Sequence, residues 1–197
     1  MHNMSDTIEF WKGDFGNQYI LRNRVNWRAR IPFWDRIVQI TGIRSAFEVG
    51  CGSGWNLSAI KHTNHGYNVC LYGCDVNAQA VDQASIAGLE VFHGSLMEGQ
   101  ILCDLAFTAG VLIHVAPEDI VVMMQAIIDS SSDYVLAIEY EAEREEEVEY
   151  RGHASKLWKR PYGNMYELMG LTLVETGKLG KEDGFDPNGV TYWLLRK

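Results

Sequence analysis

Apolar positions along the chain fall into segments of two alternating periodicities. Short continuous apolar runs at 45–49, 69–75, 89–93, 103–108 and 133–139 read as strands buried on both faces. Between them the apolar spacing lengthens to three and four residues. It predicts helices starting just after Gly54, over 78–87, and over 117–129 behind Pro117, Glu118 and Asp119. Upstream, Val25, Phe33, Trp34, Ile37, Val38 and Ile40 give 23–41 a helical apolar face, interrupted near Pro32 and ended by Gly42. Residues 8–22 mix aromatics with glycines. They are too irregular for a strand and too apolar for a tail, so they are expected to pack on the domain as a lid. After a helix at 162–170 the pattern changes. Runs at 171–176 and 190–195 are joined by a polar turn at 180–189 with no helix between them, which is the pattern of an antiparallel hairpin. The expected fold is α/β: a doubly wound, mostly parallel sheet with an antiparallel C-terminal hairpin strand, in a three-layer sandwich. A single domain over 1–197, with 1–41 as N-terminal lid and helix, suits the length.

Composition changes this picture little. An apolar fraction of 47% is that of an ordinary globular protein. No stretch of about 18 apolar residues is present to span a membrane, and residues 1–6 lack the basic and apolar parts of a signal peptide, so a cytoplasmic location is expected. A net charge of −9 repels a phosphate backbone, so no nucleic-acid partner is expected. The four cysteines, Cys51, Cys70, Cys74 and Cys103, read as buried free thiols of a reducing compartment. Cys70 and Cys74, four apart on one strand, would lie about 13 Å from each other, too far to bridge. Their spacing also fails the zinc pattern, and no metal site is expected.

The candidate chemistry gathers where the first strand ends, at Glu48-Val49-Gly50-Cys51-Gly52-Ser53-Gly54. Glycines here allow backbone angles that a Cβ forbids and let a ligand approach the main chain. The helix that follows offers unpaired N–H groups. A dinucleotide fingerprint would place its third glycine at Trp55, where an indole crowds the helix–strand contact, and no Gly-Lys-Ser/Thr follows to make a P-loop. A purely structural turn is the plain alternative. The stretch resembles the first motif of class I S-adenosylmethionine-dependent methyltransferases, acidic-x-Gly-x-Gly-x-Gly. Twenty-five residues after Gly50, Asp75 ends the second strand, where a carboxylate can accept two hydrogen bonds from a ribose diol or cap the next helix.

That resemblance implies S-adenosyl-L-methionine as cofactor and assigns roles along the chain. Gly50 and Cys51 would bring main chain to its methionine part, Glu48 and Gly52 of the same motif would belong to the cofactor site, Asp75 would hold the ribose, and Val76 would pack on adenine. Ser95 and Leu96 would read the adenine edge, and Ala109 and Gly110 would line the methionine end. Tyr19 would close over the methionine carboxylate, or serve as a hydrophobic cover, with Arg22 or Arg24 pairing to that carboxylate. His114 faces the transferring methyl in such proteins and would be a general base or a structural histidine. Glu139 would orient an acceptor or stand solvated. The flanks, Phe10-Trp11-Lys12-Gly13-Asp14-Phe15-Gly16 and Tyr150-Arg151-Gly152-His153 through Trp158-Lys159-Arg160, resemble methylases associated with pseudaminic-acid biosynthesis. They imply a small-molecule substrate, a sugar or glycan-pathway intermediate. Arg151 and His153 would then hold its anionic group, and Trp158 and Tyr162 would offer flat faces, unless these bases pair with the acidic run at 141–149. Methylation of a protein or RNA, and cofactor binding without turnover, are the competing functions. The oligomeric state is not legible.

Overall fold

The computed structural model describes residues 4–99 and 101–197. Residues 1–3, on which part of the signal-peptide reading falls, lie outside them. The aromatic–glycine stretch expected only to pack on the domain is helical. Helix α1 (Met4–Lys12) and helix α2 (Asp14–Arg22) meet at Gly13, and the Phe10 and Phe15 rings stack across the break at 4.2 Å. The helix expected over 23–41 is shorter. Residues 23–26 are non-helical, Trp27–Arg30 make one tight turn, and α3 spans Ile31–Thr41. Pro32 explains the late start, because a ring without an N–H is best tolerated in a helix's first turn.

Strands and helices then alternate: β1 (Ser45–Val49), α4 (Trp55–Lys61), β2 (Cys70–Asp75), α5 (Ala78–Ile86), β3 (Glu90–His93), β4 (Cys103–Ala109), α6 (Ile120–Asp129) and β5 (Ser131–Glu139). A two-residue ladder follows, β6 (Glu146–Glu147) with β7 (Trp158–Lys159), then α7 (Tyr162–Leu168), β8 (Thr172–Leu179) and β9 (Val190–Arg196). The main sheet has seven strands in the order β3-β2-β1-β4-β5-β9-β8. Strands β1 to β5 pair in parallel, and β9 runs antiparallel to both β5 and β8.

The continuous apolar runs have a direct cause. Ala46 and Phe47 point to opposite faces of β1, yet both are fully buried, because helices cover each side. Phe47, Ala106 and Val135 pack with α6 and α7. Ala46, Phe107 and Leu136 pack with Trp34, Ile37 and Ile60 of α3 and α4. The cysteine expectation needs one correction. Cys51, Cys74 and Cys103 are buried, but Cys70 begins β2 at the rim and is exposed. No helix among the described residues is long and apolar enough to cross a membrane.

Pairing register aligns the strand exits. Val49 sits opposite Cys74 on one side and Thr108 on the other, so β1, β2 and β4 release their chains along one edge. The strand order reverses at β1, with β2 on one side and β4 on the other. That reversal opens a crevice at the carboxyl ends of the strands.

Candidate functional site

The crevice is a cavity of about 720 Å³, within the range of small-molecule sites. Its floor is the glycine turn. Gly50, Gly52 and Gly54 all hold positive φ, at 66°, 54° and 74°. A Cβ on Gly50 would meet Val111 at 2.6 Å, and one on Gly54 would meet Leu89 at 2.2 Å. Gly52 differs, since nothing lies within 4 Å of where its Cβ would stand. Packing therefore demands two of these glycines, and the third leaves the backbone open to the cavity.

Asp75 locks onto this turn. Its Oδ2 accepts the Gly52 N–H at 2.8 Å and its Oδ1 accepts the Asn77 N–H at 2.8 Å. Each oxygen retains a further acceptor position for a diol. Burial pushes the Asp75 carboxyl up, against those two donors. The helix-cap alternative falls to its neighbour: Asn77 caps α5 through its side-chain oxygen, which accepts the Ala80 N–H.

Under the turn runs a buried polar chain. Arg30 donates to Asn56 Oδ1 at 2.7 Å, and Asn56 Nδ2 donates to Glu48 Oε1 at 2.7 Å. Burial pushes Arg30 down to about 10 and Glu48 up to about 8. Glu48 Oε2 is buried with no hydrogen-bond partner, as is Thr7 Oγ1 from α1, and both residues line the cavity. Buried polar atoms left unpaired are costly, so their exposure to the cavity suits a polar ligand that completes them.

The N-terminal helices form the roof. Met4, Ile8, Trp11, Gly16, Tyr19 and Ile20 all line the cavity. The roof is tied to the floor by Asn77, whose Nδ2 donates to the Trp11 carbonyl at 3.0 Å and to Asn17 Oδ1 at 2.9 Å. Tyr19 meets Trp11 edge-on at 5.3 Å, and burial raises its phenol. Of the two arginines expected beside it, Arg24 lines the cavity, while Arg22 lies over the Phe15 and Tyr19 rings at 4.7 and 5.6 Å.

His114 is buried between Trp11 and Tyr150, with ring centroids at 4.7 and 4.9 Å. Its Nδ1 lies 2.6 Å from the Lys156 carbonyl, which fixes Nδ1 as the N–H donor and leaves Nε2 as an acceptor. Burial holds the ring at about 4, so it is neutral near pH 7 and a weak base. Glu139 is not solvated. It is fully buried, and its carboxylate accepts the N–H groups of Val111, Leu112 and Ile113 at 3.2, 3.2 and 3.4 Å. Burial pushes it up to about 7. These bonds make it a brace for the turn after β4.

All the residues expected at the cofactor end come together here: Tyr19, Glu48, Gly50, Cys51, Gly52, Asp75, Val76, Ser95, Leu96, Ala109 and Gly110. His114 and Glu139 also line the cavity. The expected substrate group does not. Arg151, His153 and Trp158 lie outside the lining. Arg151 is exposed, and His153 packs on Phe10 and Phe15 at 5.1 and 5.4 Å. Trp158 and Tyr162 are buried in the core, so neither ring offers a face to a ligand. Their burial follows from the β6–β7 ladder, which folds the basic stretch back so that Arg160 pairs with Glu145 at 2.6 Å and packs over Trp158. Sequence reasoning missed Trp11, Arg30, Asn56, Asn77, Tyr140 and Asp186. Only Asn77, a good cap residue before a helix, carried a local signal.

The strand order, the antiparallel β9 and the glycine exit from β1 define the class I methyltransferase fold. Solved structures of that fold are similar to this chain along nearly its whole length. Magnesium protoporphyrin IX methyltransferase from Synechocystis, solved with S-adenosylmethionine, matches with a TM-score of 0.68 at 12% identity, over 100% of this chain and 98% of its own. The 1,6-didemethyltoxoflavin-N1-methyltransferase of Burkholderia thailandensis, solved with 1,6-didemethyltoxoflavin and S-adenosylhomocysteine, matches with a TM-score of 0.69 at 14% identity, over 98% and 86%. TehB from Haemophilus influenzae matches with a TM-score of 0.63 at 12% identity, over 94% and 67%. No protein-family model matches the sequence, and no curated protein matches it in sequence.

Proposed function

We propose that this protein is an S-adenosylmethionine-dependent methyltransferase acting on a small molecule. The observation that carries this reading is the Asp75 carboxylate, clamped to the Gly52 and Asn77 N–H groups beside a backbone opening at Gly52. That arrangement suits a ribose diol, at the strand end where such ligands bind. Glu48 Oε2 is an unpaired buried acceptor suited to the cofactor's amino group, Arg24 a cation suited to its carboxylate, and Leu96 and Val76 apolar walls for its base. Bound there, the cofactor supplies an electrophilic methyl group. The residues around it orient, desolvate and hold the reactants in line, from which most of the acceleration in such a displacement can come.

A roof of two helices supports a small acceptor over a protein or RNA chain, as does the net charge of −9. A sugar or nucleotide sugar is the class that the resemblance to pseudaminic-acid-associated methylases implies, and we retain it as the finer proposal. It rests on those flanks, since the residues first assigned to it stand off the cavity. Titration calorimetry of the Asp75→Ala variant tests the reading. Cofactor affinity is expected to fall by about 1–3 kcal/mol, the scale of a lost polar contact to a charged group. Wild-type affinity in that variant would sink the assignment.

A further inference from the structure

Four carboxylates line the cavity: Glu48, Asp75, Glu139 and Asp186. Three are committed. Glu48 belongs to the Arg30–Asn56 chain beneath the glycine turn. Asp75 is bonded by two N–H groups at the end of β2. Glu139 holds three N–H groups of the turn after β4. Asp186 lies elsewhere, in the loop between β8 and β9, and is half-buried. Its Oδ1 accepts the Asn188 N–H at 2.8 Å, which fixes the carboxylate on its own loop. Its Oδ2 accepts the phenol of Tyr140 at 2.8 Å.

That second bond places Asp186. Tyr140 directly follows Glu139 at the exit of β5, with Tyr19 and Tyr150 within electrostatic reach across the cavity. The loop is also held from below, because Arg30 Nε donates to the Gly184 carbonyl at 3.0 Å and the guanidinium lies 4.2 Å from the Phe185 ring centroid. The same arginine binds Asn56 under the glycine turn, so Asp186 is fixed relative to the cofactor floor. Tyr140, Phe185 and Pro187 line the same cavity.

We propose that Asp186 is the acceptor-binding carboxylate of this cavity and takes the proton from a neutral hydroxyl or amine acceptor, with Tyr140 as its positioning residue. This rests on the methyl-transfer reading. In the step, a lone pair on the acceptor oxygen or nitrogen forms the new bond to carbon. The carbon–sulfur electron pair returns to sulfur, turning sulfonium into thioether. The acceptor's proton passes to Asp186 Oδ2, which donates it to water on the loop's exposed side. The remaining lone pair on Oδ2 receives the acceptor, and Tyr140 holds that oxygen in place. A carboxylate at this point also disfavours an acceptor that presents its own carboxylate as the nucleophile.

The test needs no identified acceptor. Sinefungin carries a primary amine in place of the transferable methyl group, whereas S-adenosylhomocysteine has nothing there. Calorimetry of both compounds with wild type, Asp186→Asn and Tyr140→Phe reads the ratio of the two affinities. In Asp186→Asn the preference for sinefungin is expected to fall about tenfold, a modest charge–charge contribution at a half-buried site. S-adenosylhomocysteine affinity should stay within about twofold, which also reports that the variant is folded. Tyr140→Phe should fall between the two, and the exposed Glu182→Gln should match wild type. An unchanged ratio in Asp186→Asn overturns the proposal. So does an equal loss for both compounds, which would make Asp186 a cofactor ligand. Wild-type protein that binds neither compound overturns the methyl-transfer reading itself, and this assignment with it, in a pattern distinct from the others.

Discussion

At the scale of single residues, the floor of the cavity stores ionisation. Glu48 and Glu139 are held by burial at about 8 and about 7, above the value of about 4.3 for a free glutamate. Their contribution to stability is therefore complete below about pH 4.3 and is lost as pH rises through the folded values. His114 has the opposite sign. Held at about 4 against about 6.5 unfolded, it stabilises fully above 6.5, and that contribution is lost as pH falls. Between pH 6.5 and 8.5 the two glutamates dominate among these three groups. Melting curves of the cofactor-free protein should show the melting temperature dropping across that window, and Glu48→Gln should flatten the drop. A slope equal to that of wild type in the variant would contradict the raised carboxyl assigned to Glu48. Much of this floor is legible in the sequence, because Glu48 and the three glycines form one contiguous motif and Asp75 marks a strand end, although the Asp75–Gly52 bond itself spans 23 residues. Arg30 and Asn56 are not. Their bond spans 26 residues and depends on the tight turn Trp27–Arg30 packing against α4.

At the scale of elements, α1 and α2 decide how closed the cavity is. Gly16 sits where the two helices meet and face Asn77. A Cβ there would stand 1.8 Å from the Trp11 carbonyl and 2.8 Å from Asn77 Nδ2. Gly16→Ala must then part α2 from α1 at Trp11 and loosen the tie to Asn77. Its expected effect is cofactor affinity weaker by about 1–3 kcal/mol, the cost of overpacking a tight contact, with faster cleavage of residues 4–22 by protease. Equal affinity and equal cleavage would show that the roof does not hold the ligand. The parallel strands and the closing hairpin are legible, since their runs are bounded by clear turn signals. The roof helices are harder to read because each is only nine residues long, they are broken from one another at Gly13, and α2 carries Gly16 inside. The basic stretch at 151–160 misleads for a related reason. Its charges suggest a binding face, but Arg160 turns inward to Glu145 and takes Trp158 with it.

At the scale of the whole molecule, the cavity is shared by both ends of the described chain. The roof comes from α1 and α2, and one wall comes from the loop before β9. A ligand bound there ties these distant segments together and should stabilise the fold as a unit. At 100 times its dissociation constant, S-adenosylhomocysteine is expected to add about 2.7 kcal/mol. For a chain of this size that corresponds to a rise of roughly 5–10 °C in melting temperature, measurable by scanning fluorimetry. Asp75→Ala, with affinity weaker by about 1–3 kcal/mol, should lose between about a third and nine-tenths of that rise at the same ligand concentration.

The position of β9 sets an order of assembly. Within the main sheet β8 bonds only to β9, although it comes earlier in the chain. It cannot join the sheet by docking on the strands already formed. It must first close a hairpin with β9, or wait for β9 to zip onto β5. The loop carrying Asp186 is the tip of that hairpin. The wall holding the proposed acceptor contact thus joins the cavity only when β9 docks on β5, whether or not the hairpin has already closed.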